Sequence, residues 1–120
     1  MGPENVQLTM GTRSDLPALL RLIQELADFE KAPDAVSNSE AQMVEEWEYF
    51  EFVLAKIDGK TVGMAVYFFA YSTWVGKSLY LDDLYVKEEY RGQGIGRKLL
   101  DRILCLAWEE KCHRVRWQVL

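Results

Sequence analysis

The sequence predicts an α/β domain in which helices pack on a mixed β-sheet, and three observations support this prediction. A β-rich run, residues 78–86, is followed by a glycine loop, residues 91–96, and then by residues 97–111, whose apolar positions have helical spacing. Asp58-Gly59 separates two further β-rich runs, which is a strong hairpin signal. Hydrophobic residues make up 49% of the chain and charged residues 28%, as in ordinary globular domains. We therefore expect residues 1–120 to form a single α/β domain.

The N-terminal part of the chain predicts a strand followed by a helix. Residues 5–10 alternate between apolar and polar side chains, as a half-buried strand does. Ser14 is a good helix N-cap, and Pro17 would lie in the first helical turn, where its missing N–H is harmless. Apolar residues then follow helical spacing to about Phe29, and Pro33 closes the helix.

A second, shorter helix is predicted over residues 37–47, with Ser39 or Ser37 as its cap. Three consecutive strands follow, and we place them at residues 52–57, 61–71 and 79–86. Gly76-Lys77 is the expected turn into the third of these strands.

The helix after the glycine loop should bury one face, made of Ile95, Leu99, Ile103 and Ala107. A last strand is predicted over residues 114–120, because apolar and polar side chains alternate there. The predicted order is β-α-α-β-β-β-α-β. Three antiparallel strands followed by a helical crossover to a parallel strand predict a mixed sheet with helices packed on it.

Composition argues against several classes of function. The sequence contains no run of about 18 apolar residues, so no membrane span is expected. The N-terminus lacks the basic region and apolar stretch of a secretion signal. The net charge is −5 and no basic cluster occurs, so nucleic acid is not an expected partner, whereas a cationic small molecule is.

Cys105 and Cys112 lie seven residues apart on the same predicted helix, roughly 10 Å along its axis. A disulfide needs Cα atoms within about 7 Å, so these residues are expected to be reduced, partly buried thiols of a cytoplasmic protein. The single histidine, His113, would not complete a metal site with them in a suitable geometry, and we predict no metal.

The glycine loop is the strongest candidate for a functional site. A strand, a glycine loop and a helix together direct backbone N–H groups and the positive end of the helix at an anion. The dinucleotide fingerprint is excluded because the required sixth position is Arg97. A Walker loop is excluded because Tyr71 stands where the glycine before Gly76-Lys77-Ser78 should be. A phosphate-bearing cofactor and a simple tight turn remain as alternatives.

The loop Arg-Gly-x-Gly-x-Gly after a strand ending in Leu-Tyr-Val closely resembles the acetyl-CoA pyrophosphate loop of the GNAT superfamily of N-acetyltransferases. More specific segments are residues 22–30 (LIQELADFE), 67–77 (YFFAYSTWVGK) and 79–86 (LYLDDLYV), which look like the diamine acetyltransferase family. That family comprises the spermidine/spermine and thialysine N-acetyltransferases. The resemblance covers nearly the whole chain and implies the GNAT fold, acetyl-CoA as cosubstrate, a small primary amine as acetyl acceptor, and a homodimer.

The resemblance also implies which residues bind the cofactor. Backbone groups of Leu84, Tyr85 and Val86 would pair with the pantetheine arm, and an N–H there would polarise the thioester carbonyl. On the last strand, Arg116, Trp117 and Gln118 would border a gap beside the cofactor. The pyrophosphate would be held by the loop residues Arg91, Gly92, Gln93, Gly94, Ile95, Gly96 and Arg97.

Asp82 matches the family position that contacts the amine, and we expect it to be catalytic; the family usually carries Glu there. Because Asp82 and Asp83 are adjacent on a strand, alternation predicts that they point to opposite faces. Phe29, Glu30 and Trp74 match further substrate contacts by resemblance, with Phe29 replacing a tyrosine. Each assignment has a structural alternative. Asp82 and Asp83 would be two solvated carboxylates, Phe29 and Glu30 a core aromatic beside a surface glutamate, and Trp74 a side chain that only covers the core.

Members of the family continue beyond a strand like residues 114–120 with an Asp/Glu-Trp-Asn segment, another helix and two strands. That helix carries the tyrosine that acts as general acid toward the CoA thiolate, and this sequence ends before it. We therefore expect a C-terminally incomplete GNAT domain. Besides an amine N-acetyltransferase, two other functions remain possible for such a domain. One is a non-catalytic fragment that binds CoA or dimerises with a full-length relative, and the other is a plain α/β interaction module.

Overall fold

A computed structural model describes residues 5–117, and its elements follow the predicted order. The strands of its sheet are β1 (Val6–Met10), β2 (Glu51–Ile57), β3 (Lys60–Ser72), β4 (Gly76–Val86) and β5 (Arg114–Trp117). The helices are α1 (Leu16–Phe29), α2 (Glu40–Glu45) and α3 (Ile95–Glu109). Three short 3-10 turns, Arg13–Asp15, Trp47–Tyr49 and Glu88–Tyr90, lie between them.

The five strands form one mixed sheet in chain order, as predicted. Neighbouring strands from β1 to β4 are antiparallel, and β5 runs parallel to β4 after the α3 crossover. The β2–β3 hairpin turns at Asp58 and Gly59, whose φ angles of 50° and 78° suit the tight primed turns that join antiparallel strands.

Helices cover both faces of the sheet. On one face, α3 packs against β2–β5 through the predicted residues Ile95, Leu99, Ile103 and Ala107, all of which are buried. On the other face, α1 and α2 cover a second core that includes Leu19, Phe52 and Met64. The same core contains Tyr85, so α1 covers the end of β4 that precedes the glycine loop.

Several predicted boundaries are wrong, for local reasons. Ser14 does not cap α1; it lies within the 3-10 turn that precedes the helix, where the N–H and the hydroxyl of Thr12 both donate hydrogen bonds of 2.9 Å to the Asp15 carboxylate. The second helix is shorter than residues 37–47, although Ser39 does cap it by accepting a bond from the Gln42 N–H.

The later boundaries shift by a few residues. Residues 73–75 form the turn into β4, so Gly76 is the first residue of that strand rather than part of the turn. The α3 helix starts at Ile95 and ends at Glu109, so Cys112 lies beyond the helix that was predicted to carry it. Cys105 is exposed and Cys112 half-buried, and both thiols are free. Residues 118–120 of the predicted last strand lie outside the described part of the chain.

Within residues 5–117, no helix combines the length and the apolar character that crossing a membrane requires.

Candidate active site

The glycine loop borders a groove of about 560 Å³ between the end of β4, the start of α3 and the C-terminal end of α1. Gly92 and Gly94 have φ angles of 80° and 81°, which favour glycine because an L side chain is strained there. A Cβ built on either glycine meets no atom within 4 Å, so the space in front of the loop is open. Gly94 immediately precedes α3, whose first-turn N–H groups have no partner within the helix. The loop therefore fits a pyrophosphate.

Most of the residues predicted to bind the cofactor line this groove. They are Leu84, Tyr85, Val86, Arg91, Gly92, Gly94, Ile95, Gly96 and Arg97. Gln93 belongs to the loop but does not line the groove.

Arg91 is fixed in the groove by three contacts. Its Nε donates a hydrogen bond of 2.9 Å to the Val86 carbonyl oxygen. Its guanidinium lies 4.5 Å from the centre of the Phe29 ring and 5.4 Å from that of Tyr85. Such contacts hold a planar cation in one orientation, which reduces the entropy lost when it binds a phosphate.

Phe29 and Glu30 lie at the groove of the glycine loop, although the resemblance places them at the substrate. Phe29 packs on Arg91 and is 61% exposed. Glu30 lines the groove, and its charge also acts on Asp83. The groove and the aspartate pair adjoin each other, because Asp83 immediately precedes Leu84 of the groove on β4.

Tyr85 and Lys87 share one carboxylate from α1. The Tyr85 hydroxyl donates to Glu25 Oε1 at 3.2 Å, and Lys87 Nζ donates to Glu25 Oε2 at 2.7 Å. Burial, followed by the negative charge of Glu25, raises the pKa of Tyr85. This network ties the end of β4 to α1 and keeps the Tyr85 phenol protonated.

A β-bulge determines where the aspartate pair points. Along β3 and β4, Val66 pairs with Asp83 and Tyr67 pairs with Leu81, so Asp82 is an extra residue on β4. The prediction that Asp82 and Asp83 point to opposite faces is therefore wrong. Both line one cavity of about 530 Å³ on the α1/α2 face of the sheet.

The two carboxyl groups differ in their surroundings. Asp82 is exposed, whereas Asp83 is partly buried. Burial raises the pKa of Asp83 to about 6, and the negative charges of Asp82 and Glu30 add to this effect. A carboxyl group with a pKa near neutrality can accept and release a proton at physiological pH. Sequence reasoning placed the catalytic role on Asp82 alone and missed Asp83, since only the bulge shows that they share a cavity.

The cavity is also lined by polar side chains that the sequence analysis did not select as site residues, among them Asn38, Glu46 and Tyr49. Apolar residues such as Ile23 and Met43 line it as well. No recognisable motif contains these polar residues, and their position follows only from the packing of α2 and its flanking segments against α1.

The remaining predicted site residues lie elsewhere. Trp74 is 94% exposed in the turn between β3 and β4 and covers no core. Arg116 and Trp117 do not line the groove beside the glycine loop; the described β4–β5 pairing ends at Leu81 and Trp117. Gln118 lies outside the described residues.

Comparison with known proteins identifies the fold and the family. The family model "Acetyltransferase (GNAT) family" matches residues 17–120 of the chain. The chain belongs to the GNAT acetyltransferase family. Proteins of this family are enzymes that as a general rule use acetyl-CoA, so the domain is an acetyltransferase by descent.

Two named relatives show which acetyltransferases this chain resembles in sequence. The chain is 39% identical over 127 residues to the thialysine N-epsilon-acetyltransferase of Bos taurus, covering 96% of this chain and 75% of the relative. It is 35% identical to the spermidine/spermine N(1)-acetyltransferase-like protein 1 of Homo sapiens, covering 95% of this chain and 18% of that protein.

Solved structures agree on the fold. An aminoglycoside acetyltransferase from an uncultured soil metagenomic sample, in complex with sisomicin, superposes with a TM-score of 0.81 at 20% identity over 97% of this chain and 78% of that chain. The ribosomal-protein-alanine N-acetyltransferase of Brucella melitensis biovar Abortus 2308 gives a TM-score of 0.78 at 20% identity, covering 96% of this chain and 80% of that one. At these identities the likeness concerns the fold alone.

Proposed function

We propose that this domain transfers the acetyl group of acetyl-CoA to a primary amine of a small diamine-like substrate, either thialysine or a polyamine such as spermidine or spermine. The observation that carries the proposal is the position of two sites on consecutive residues of β4. Asp82 and Asp83 line the acidic cavity, and Leu84, Tyr85 and Val86 line the groove of the glycine loop. An amine held by the aspartates would therefore lie next to a cofactor held by the loop.

Each part of the groove has a role in holding acetyl-CoA, which supplies the acetyl group as a reactive thioester. The open space at Gly92 and Gly94 admits the pyrophosphate, and the N-terminus of α3 and the Arg91 guanidinium bind its charge. The backbone of residues 84–86 would bind the pantetheine arm along β4. These assignments rest on the residues that line the groove and on the resemblance to the family.

The aspartate pair must turn an ammonium group into a nucleophile. An alkylammonium has a pKa of about 10.4, so a carboxylate whose pKa is about 6 can take its proton at a cost of about 6 kcal/mol. The same transfer to an unperturbed aspartate would cost about 9 kcal/mol. After allowance for solvent screening, the raised pKa of Asp83 therefore lowers the cost by roughly 1–2 kcal/mol, while exposed Asp82 holds the cation in place.

The test is acetylation of candidate amines in the presence of acetyl-CoA, detected as the acetylated product by mass spectrometry. We expect product from thialysine or from spermidine, and a loss of at least about tenfold in rate for Asp82→Ala. Glu109→Ala removes an exposed carboxylate at the far end of α3 and serves as the matched control. If no primary amine is acetylated, or if Asp82→Ala behaves like the control, the proposal is wrong.

We also propose that residues 1–120 act as one domain and that the domain forms a homodimer. The exposed apolar side chains of Trp74 and Val75 at the tip of the β3–β4 hairpin support an association of this kind. Light scattering at several protein concentrations tests it, and a monomeric mass at all of them would contradict it.

A further inference from the structure

Two arginines of β5 lie on the same face of the sheet as the aspartate pair. The β4–β5 register pairs Arg114 with Ser78 and Arg116 with Tyr80. Val115, between them, packs into the core beneath α3, so alternation places both arginines on the opposite, α1/α2 face. Asp83 faces this side as well, because it pairs with Val66 of the core beneath α1 and α2.

The arginines line a depression of about 340 Å³ that lies beyond the edge of the helical layer. Its other polar side chains are the hydroxyls of Tyr71, Ser72, Thr73, Ser78 and Tyr80, of which Ser78 already donates to the Gly76 carbonyl oxygen, and no acidic residue lines it. Among the ion pairs of residues 5–117, none involves Arg114 or Arg116. The depression thus combines two guanidinium groups with hydroxyl donors, which is the chemistry that binds a carboxylate.

The spacing between this depression and the aspartates suits one small molecule. Arg116 is one strand across from Tyr80, which lies two residues before Asp82. With strands about 4.8 Å apart and a rise of about 3.3 Å per residue, the Cα atoms of Arg116 and Asp82 are roughly 8 Å apart. The long side chain of Arg116 can extend toward Asp82 or away from it, so ligands of different lengths can reach its guanidinium. A ligand with an amine at one end and a carboxylate at the other can therefore contact the aspartates and the depression together.

We propose that Arg116, assisted by Arg114, binds the carboxylate of an amino-acid substrate whose side-chain amine lies at Asp82 and Asp83. This inference rests on the proposed acetylation of a primary amine. It assigns to Arg116 the discrimination between the two acceptor classes proposed above, in favour of the lysine-like amino acid and against the polyamine. It also gives Arg116 a substrate contact in place of the cofactor contact that the family resemblance implies.

The same charges disfavour the alternative acceptor. A polyamine that extended along this face would bring a second ammonium group toward two arginines, and like charges raise the free energy of that complex. The two arginines would therefore select amino acids over polyamines in two ways, by attracting the carboxylate and by repelling a second ammonium group.

The test compares lysine with cadaverine, which differ only by the carboxylate. For the parental chain we expect a KM for lysine at least about tenfold below that for cadaverine. In Arg116→Ala the KM for lysine should rise at least about tenfold while that for cadaverine stays the same or falls, with little change in kcat. Arg116→Lys keeps the charge but not the planar pair of donors, so it should restore part of the difference. Arg102→Ala, which removes an arginine from α3, is the control.

The inference is overturned if the parental chain does not discriminate between the two amines, or if Arg116→Ala weakens both equally. It is also overturned if Arg116→Ala alters only the mass measured by light scattering, because the arginine would then belong to an interface between copies. Calorimetric binding of the two amines in the presence of CoA separates this inference from the proposed reaction. Lysine binding that depends on Arg116 without any acetylation would support the carboxylate site and refute the acetyl transfer.

Discussion

Gly94 and Gly59 form a natural pair for testing the cofactor groove. Their φ angles are 81° and 78°, and a Cβ built on either residue meets no atom within 4 Å. Alanine at either position should therefore cost only backbone strain, about 1–2 kcal/mol. With an unfolding entropy of about 2.1 cal/mol/K for each residue, this strain lowers Tm by roughly 4–8 °C in both variants. Gly59 lies in the β2–β3 hairpin, whereas Gly94 lies in the groove.

The two variants should differ once acetyl-CoA is added. A ligand at about 100 times its Kd stabilises the folded chain by about 2.7 kcal/mol, which corresponds to roughly 10 °C in Tm. Gly59→Ala should keep this shift, and Gly94→Ala should lose most of it, because its methyl group occupies the space that the pyrophosphate needs. Thermal unfolding followed by circular dichroism, with and without acetyl-CoA, gives the comparison. Equal shifts in the two variants would refute the assignment of the loop.

The remaining predictions concern the aspartate pair, the arginine in the groove and the core. The rate at saturating acetyl-CoA should rise with pH as Asp83 ionises, with the midpoint of the pH–rate profile near its pKa of about 6. Asp82→Asn should move that midpoint to lower pH, because it removes a negative charge that raises the pKa of Asp83. Because the folded-state pKa of Asp83 is raised, the chain loses stability as pH rises from about 4 through 6. Asp83→Asn should therefore stabilise the chain by about 1–2 kcal/mol at pH 7, after allowance for solvent screening, and by little at pH 4. Urea unfolding at the two pH values measures this difference. Arg91→Lys should raise the Kd for acetyl-CoA by about tenfold in calorimetry, because the bond to Val86 and the ring contacts need a planar guanidinium. Leu99→Ala should cost about 2–5 kcal/mol in urea unfolding, since Leu99 is fully buried on the face of α3 that packs on the sheet, and an unchanged midpoint would contradict the described core.

Sequence patterns predicted the features that depend on neighbouring residues. The glycine loop before α3 and the buried face of α3 follow from local chemistry and from helical periodicity, and both are present in the structure. The Asp58-Gly59 hairpin is a further example, because the turn depends on the two residues that form it.

Features that depend on the register between strands could not be predicted in this way. Alternation assumes a regular strand, so it assigned Asp82 and Asp83 to opposite faces, whereas an extra residue opposite Val66 brings them into one cavity. The contact between Arg91 and Phe29 joins residues far apart in the sequence and needs the packing of α1 against β4. The raised pKa of Asp83 arises from the same packing, and no local pattern encodes it.

The most direct test of the account is a calorimetric titration of acetyl-CoA into the 120-residue chain, followed by S-acetylpantetheine, which has the thioester but not the pyrophosphate. The glycine loop and Arg91 predict saturable binding of acetyl-CoA, with S-acetylpantetheine bound at least about tenfold more weakly. Equal binding of the two thioesters, or no binding of acetyl-CoA, would contradict the claim that this groove holds the cofactor through its pyrophosphate.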